Sequence, residues 1–322
     1  MKSKFVASGL AIVLGLTGVG TIGFPEGAVA QQRTSEIDTA IAEGLRLLNE
    51  GSAKSLRKSI GYFEKALGLA RRSKAKDKQN LSLLFLGILH SKLGENQKAI
   101  EYYNQALPIF RAEGERAVEA MILNDLGLIY KNLGENQKAI EYHNQSLPIW
   151  RAVGDRSGEA TTLNNLGAAY ISSGENQKAI EYFNQALPIS RAVGDRTLEA
   201  MTLYNLGSIY GDLGENQKAI QYHNQALPIF RAVGDRSSEA KTLSNLGSVL
   251  NSQEQPKLAI AAYRKSVNIY ESIRKDNQKL PRALRESYTK SIADTYQALA
   301  DLLIKQGRPA EAEAVLEFLK LK

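Results

Sequence analysis

Apolar residues recur along most of this chain at helical spacing, in short blocks separated by polar, glycine-containing breaks. Leu163, Leu166, Ala169 and Tyr170 mark one such block, Ser173-Gly174 interrupts it, and Ala179, Ile180, Phe183, Ala186 and Leu187 resume it. Residues three and four apart share one face of a helix, so each block predicts an amphipathic helix of about 15–18 residues. Gly194-Asp195 then closes the pair. Glycine accepts the left-handed conformation that ends a helix, and aspartate caps the next one through its carboxylate, so Val-Gly-Asp-Arg reads as a stop followed by a start.

The pattern repeats. Gly94-Glu95-Asn96-Gln97-Lys98-Ala99-Ile100 returns at Gly134, Gly174 and Gly214, a fixed period of 40 residues. Helices this short are marginal alone in water, and a two-helix unit cannot bury its apolar face by itself, so successive units must stack. The expected fold is therefore an all-α solenoid of helical hairpins, seven in all, with 31–79 as an N-terminal capping hairpin. Five regular units follow over 80–275, and 276–322 forms a last hairpin. The capping hairpin is expected to have a turn three residues longer than the others. Pro108, Pro148, Pro188 and Pro228 fall inside each second helix. They predict a kink rather than an end, because apolar spacing continues through Ile149 and Trp150.

Leu-x-x-Leu-Gly-x-x-Tyr followed by Ala-x-x-x-aromatic-x-x-Ala appears as Leu163, Leu166, Gly167, Tyr170, Ala179, Phe183 and Ala186. Parallel sets start at Leu83, Leu123, Leu203 and Leu243. This pattern resembles the tetratricopeptide repeat, in the long-period form found in kinesin light chains. The resemblance implies a right-handed superhelix with a concave groove lined by the first helix of each unit. In that scheme Gly87, Gly127, Gly167, Gly207 and Gly247 permit close helix approach, with the small Ala99, Ala139, Ala179, Ala219 and Ala259 opposite. His90 and Leu250 replace the tyrosine, and Ser146 and Ser266 replace the second alanine. The tail, from Tyr270-Glu271-Ser272-Ile273-Arg274 through Gly307-Arg308 to Ala314-Val315-Leu316-Glu317, is similar to the segment that joins such arrays to a CHAT domain, a caspase-like peptidase module. That likeness implies a CHAT-type peptidase as a possible partner.

The ends and the charge place the array. Lys2 and Lys4 precede an apolar run from Phe5 to Ile22, and Ala28-Val29-Ala30 offers an A-x-A cleavage site, so 1–30 reads as a signal peptide and the chain as exported, periplasmic or secreted. An uncleaved anchor is the alternative, disfavoured by the many glycines. No membrane association is expected after cleavage. There is no cysteine, which removes disulfides, thiolate metal sites and cysteine nucleophiles. The formal charge is +7, but both signs are spread through every repeat. The run Arg71-Arg72-Ser73-Lys74-Ala75-Lys76-Asp77-Lys78 reads as a solvated connector, so no nucleic-acid partner is expected.

No catalytic constellation emerges. His90, His143 and His223 stand where other copies carry tyrosine or phenylalanine, which makes them packing residues. Glu119, Glu159, Glu199 and Glu239 near Arg116, Arg156, Arg196 and Arg236 read as first-turn helix charges and ion pairs. The reading is a non-enzymatic scaffold without cofactor or metal, whose partner is a protein or peptide. Variation between near-identical copies points to the groove: Asn124 and Lys131 in one unit, Asn164 in the next, then Tyr204, then Lys241 and Ser244. One residue along, Asp125, Asn165, Asn205 and Asn245 form a ladder. Amides donate and accept together, so such a ladder can grip a peptide backbone or bond to adjacent helices, and both readings stand at this stage.

Overall fold

The computed structural model describes residues 27–278 and 281–320. The run Phe5 to Ile22 lies outside the described residues, whereas Ala28-Val29-Ala30 fall at the start of the first helix. The described residues form helices and no strands. The chain divides into two compact units, residues 1–173 and 174–322.

The first unit holds α1 (Gly27–Glu50), α2 (Ala53–Ser73), α3 (Lys76–Lys92), α4 (Asn96–Ala112), α5 (Arg116–Asn132), α6 (Asn136–Val153) and α7 (Arg156–Ser172). Helices α1/α2, α3/α4 and α5/α6 are antiparallel hairpins packed in sequence. Their core runs through Ile37, Phe63, Leu84, Leu86, Tyr103, Ile122 and Leu126. The second unit holds α8 (Asn176–Ala192), α9 (Arg196–Asp212), α10 (Asn216–Val233), α11 (Arg236–Ser252), α12 (Pro256–Asp276), α13 (Arg282–Lys305) and α14 (Pro309–Glu317). Its largest core cluster gathers Tyr263, Tyr270, Tyr296, Leu299 and Leu303 from the last two hairpins.

Local signals act as their chemistry requires. Gly154 and Gly234 close α6 and α10 at φ 74° and 75°, and Gly174 takes φ 76° in its turn. Asp155, Asp195 and Asp235 accept from the backbone N–H of Gly158, Leu198 and Ser238, capping α7, α9 and α11. Each internal proline lies within an uninterrupted helix. The three additional residues of the first hairpin lengthen its helices, not its turn: only Gly51 and Ser52 separate α1 from α2.

One packing expectation is corrected. It is the aromatic or histidine ring of the second helix, not an alanine, that lies over the first-helix glycine. A Cβ on Gly87 would stand 2.7 Å from the Tyr103 ring, and on Gly127 2.6 Å from that of His143. The same holds for Gly207 with His223 and Gly247 with Tyr263. Where serine replaces the repeat's alanine, it ties helices together: Ser146 donates to the Ala120 carbonyl at 2.8 Å and Ser266 to that of Ala240 at 2.7 Å.

Successive hairpins are also clamped by charge. The buried Glu119 carboxylate receives Arg111 Nε from the preceding helix at 2.7 Å and Arg116 from its own first turn at 2.5 Å. Glu159 and Glu199 are held in the same way by Arg151 with Arg156 and by Arg191 with Arg196. In the last copy Arg231 keeps Glu239, but Arg236 turns to Asp276. A buried carboxylate is tolerated because each is charge-paired. These glutamates are ion-paired as their first-turn position predicts, and they are in addition buried and reached by an arginine of the preceding helix.

Candidate ligand-binding face

Each unit carries a candidate face at equivalent positions of the repeat, on α5 and α7 in the first unit and on α9 and α11 in the second. In the first unit its centre is Asn124, which is buried at 4% exposure. The Asn124 side-chain oxygen lies 3.1 Å from His143 Nδ1 and accepts from Thr162 Oγ1 at 3.3 Å and Asn165 Nδ2 at 3.2 Å. Asn165, the ladder member on α7, thus spends a donor on α5. Beside it, half-buried Asp125 accepts from the Tyr103 hydroxyl at 2.7 Å. Burial pushes the Asp125 carboxyl up to about 6, against the opposing effects of that hydrogen bond and of Lys92. Burial likewise drives His143 down to about 3, helped by the Lys131 charge, so the ring is neutral. Asn164 is buried and Lys131 half-buried. The exposed surface around these groups is apolar: Leu128 is 38% exposed, with half-exposed Met121, Ala168 and Ile171.

In the second unit Tyr204 occupies the place of Asn124. Its ring lies 5.9 Å from that of His223 and 6.5 Å from Phe230. Its hydroxyl accepts from Asn245 Nδ2 at 3.3 Å, and the same amide donates to Ser208 Oγ at 3.0 Å. Ser244 and Thr295 share a hydrogen bond of 2.9 Å between α11 and α13. Asn205 is half-buried. The outward groups here are mixed: Lys241, Ser248 and Asn251 are exposed, and so is apolar Met201, at 42%.

Asn124, Asn165, Asn245 and Ser244 therefore already bond to neighbouring helices, Asn165 and Asn245 being the ladder members among them. Lys241 alone among the ten candidates is fully outward. The exposed neighbours are Leu128 in the first unit and Met201, Ser248 and Asn251 in the second. Sequence reasoning placed His143 and His223 as packing residues but could not see that one would be bonded and the other not.

The family model for the tetratricopeptide repeat matches residues 51–112, 118–192 and 198–272, and a second tetratricopeptide repeat model matches 293–317. The chain belongs to the tetratricopeptide repeat family. Solved structures agree on the fold. Aspartyl phosphate phosphatase F from Bacillus subtilis superposes with a TM-score of 0.66 at 15% identity, over 92% of this chain and 72% of that one. The apo form of the quorum sensor NprR from B. thuringiensis gives 0.60 at 14% identity, over 98% and 92%. A Rap protein complexed with competence and sporulation factor gives 0.55 at 16%, over 85% and 76%. No curated protein matches the chain significantly. As a tetratricopeptide repeat protein it presents first-helix positions whose scaffold is constant and whose exposed side chains are not.

Proposed function

We propose that this tetratricopeptide repeat protein is a non-catalytic scaffold that binds a protein or peptide along its first-helix face. The observation that carries the reading is the divergence of exposed residues over an invariant frame. Leu128 becomes Ala168, Ser208 and Ser248 in successive copies, and Met121 becomes Thr161, Met201 and Lys241, while every supporting glycine stays. A frame under packing constraint keeps its core, whereas exposed positions that change from copy to copy and leave Leu128 and Met201 in water suit a surface that meets a partner. That a protein of the same fold is solved with a bound factor supports a binding role. The chain is further proposed to be exported after cleavage behind Ala30, on the strength of its N-terminal pattern.

The binding reading is tested by capturing partners from the envelope fraction on immobilised chain and repeating the capture with Leu128→Asp and Lys241→Glu. Both variants should keep native helical content, and each should lose partners seen with the parent chain. Identical captures for all three would move the site elsewhere. A second reading, in which the array packs against a caspase-like peptidase module, is favoured by Leu284, Ile304 and Phe318, apolar residues 55%, 54% and 43% exposed on the last hairpin.

A further inference from the structure

Helix α2 is unlike the other second helices. It carries six cations against one carboxylate, Glu64, whereas α4 carries Lys98 and Arg111 against Glu101. At 100° per residue, Lys54, Arg57, Lys58, Lys65 and Arg72 fall on one outward stripe. They span the length of the helix, about 27 Å at ~1.5 Å per residue. All five are exposed, and none forms an ion pair among the described residues. The opposite side of α2 is spent on the core through Leu56, Phe63, Ala66 and Ala70.

The carboxylates nearby do not neutralise the stripe. Glu43 and Glu50 on α1 are held by Arg46, and Asp38 by Lys78. Glu95, which feels the Arg57 charge, is engaged by His90. Two glycines interrupt the stripe at Gly61 and Gly68. A Cβ at Gly61 would meet nothing within 4 Å, so no packing demand explains the glycine there. At Gly61 the helix backbone lies low between long cationic side chains, whereas Arg72 folds back over Gly68 with its guanidinium 3.9 Å from where a Cβ would stand, and Tyr62, 37% exposed, borders the stripe.

We propose that the outer face of α2 is a docking surface for an anionic phospholipid membrane. A straight, unpaired cationic row with no projecting bulk between its charges suits a flat sheet of phosphates, and a tyrosine at its margin suits the headgroup layer. The inference is independent of the peptide-binding reading, since it uses a second helix and none of the first-helix positions.

The test is vesicle co-sedimentation of the full chain with phosphatidylcholine alone and with added phosphatidylglycerol. Any insertion of the apolar run contributes to both, so the difference between them reads the stripe. We expect a clear excess on the anionic vesicles that collapses when salt is raised from about 0.1 to about 0.5 M. Lys58→Gln/Lys65→Gln/Arg72→Gln should cut that excess roughly a hundredfold. Lys98→Gln/Lys138→Gln/Lys218→Gln removes the same charge from exposed, carboxylate-paired lysines and should cut it only a few-fold. Far-UV circular dichroism should be native for both triples, since all six side chains are solvated. Equal partitioning to the two vesicle types, or equal loss in the two triples, would overturn the proposal. So would binding to duplex DNA that depends on the stripe while the anionic vesicles show no excess.

Discussion

His143 and His223 sit at the same place in two copies of one repeat, each pressed onto a first-helix glycine, yet their surroundings differ. In the first unit His143 Nδ1 reaches Asn124, which also gathers Thr162 and Asn165. In the second unit Tyr204 replaces that asparagine, and both ring nitrogens of His223 are buried without a partner. The lesson is that near-identical repeats need not be energetically identical. His143 Nε2 is unpartnered as well, so a single change on the first helix decides whether the ring beneath it keeps one bonded nitrogen or none.

The contact common to both sites should give the largest effect. Gly127→Leu and Gly207→Leu each force a side chain into a histidine ring already at contact distance, and overpacking of this kind should cost about 3 kcal/mol in either unit. Chemical denaturation measures it. Native stability in either variant would show that the ring-over-glycine packing is misplaced.

Acid should come next. Burial holds His143 at about 3 and His223 at about 4, below the ~6.5 of an unfolded histidine. The unfolded chain therefore binds more protons than the native one below about pH 6.5, and stability falls as pH falls, at about 1.4 kcal/mol per pH unit for each ring. Asp125 acts oppositely. Its carboxyl is raised to about 6, so the native state takes up a proton first and regains about 1.4 kcal/mol per unit between about pH 6 and 4. The net expectation is a decline of about 1.4 kcal/mol per pH unit over that window, the slope of one net proton, read from urea midpoints across pH. Asp125→Asn should steepen it, and a flat profile in that variant would rule out the buried-histidine account.

Replacing the rings separates the two sites. His223→Phe removes two unpartnered nitrogens from a site where Phe183 shows the repeat accepts phenylalanine, and should stabilise by about 1–2 kcal/mol. His143→Phe should gain less, because it also takes a partner from Asn124. Equal gains would mean that the Asn124 contact contributes nothing.

Why the frame could be read from the chain and the face could not follows from the same residues. Period, glycine turns and aspartate caps are local signals, so the helix breaks at Ser173-Gly174 and Gly194-Asp195 and the helical passage through Pro148 were legible. The identity of the group over Gly127 depends on how two helices rotate against each other, and alanine and histidine both lie on the packed side of α6. Burial of Glu119 was hidden for a related reason, since Arg111 arrives from the preceding helix, eight residues away in sequence. The face was half legible: spacing picks out Asn165 and Asn245, but whether an amide points to a ligand or to the next helix depends on the neighbouring residue, Asn124 in one place and Tyr204 with Ser208 in the other.

The smallest expected effects test that last distinction. Asn165→Ala removes one donor from the three-way cluster on Asn124, and Asn245→Ala removes an amide that serves both Ser208 and Tyr204. At about 0.5–1.5 kcal/mol per net hydrogen bond, Asn245→Ala should cost somewhat more than Asn165→Ala, because Asn124 retains Thr162 and His143 while Ser208 and Tyr204 lose their shared donor. Thermal unfolding of the two single variants and their double variant provides the comparison. The sites are far apart in sequence and share no partner, so their costs should add to within about 0.5 kcal/mol. If both variants unfold like the parent chain but lose a captured peptide, these amides serve the ligand and the inter-repeat reading of the ladder fails.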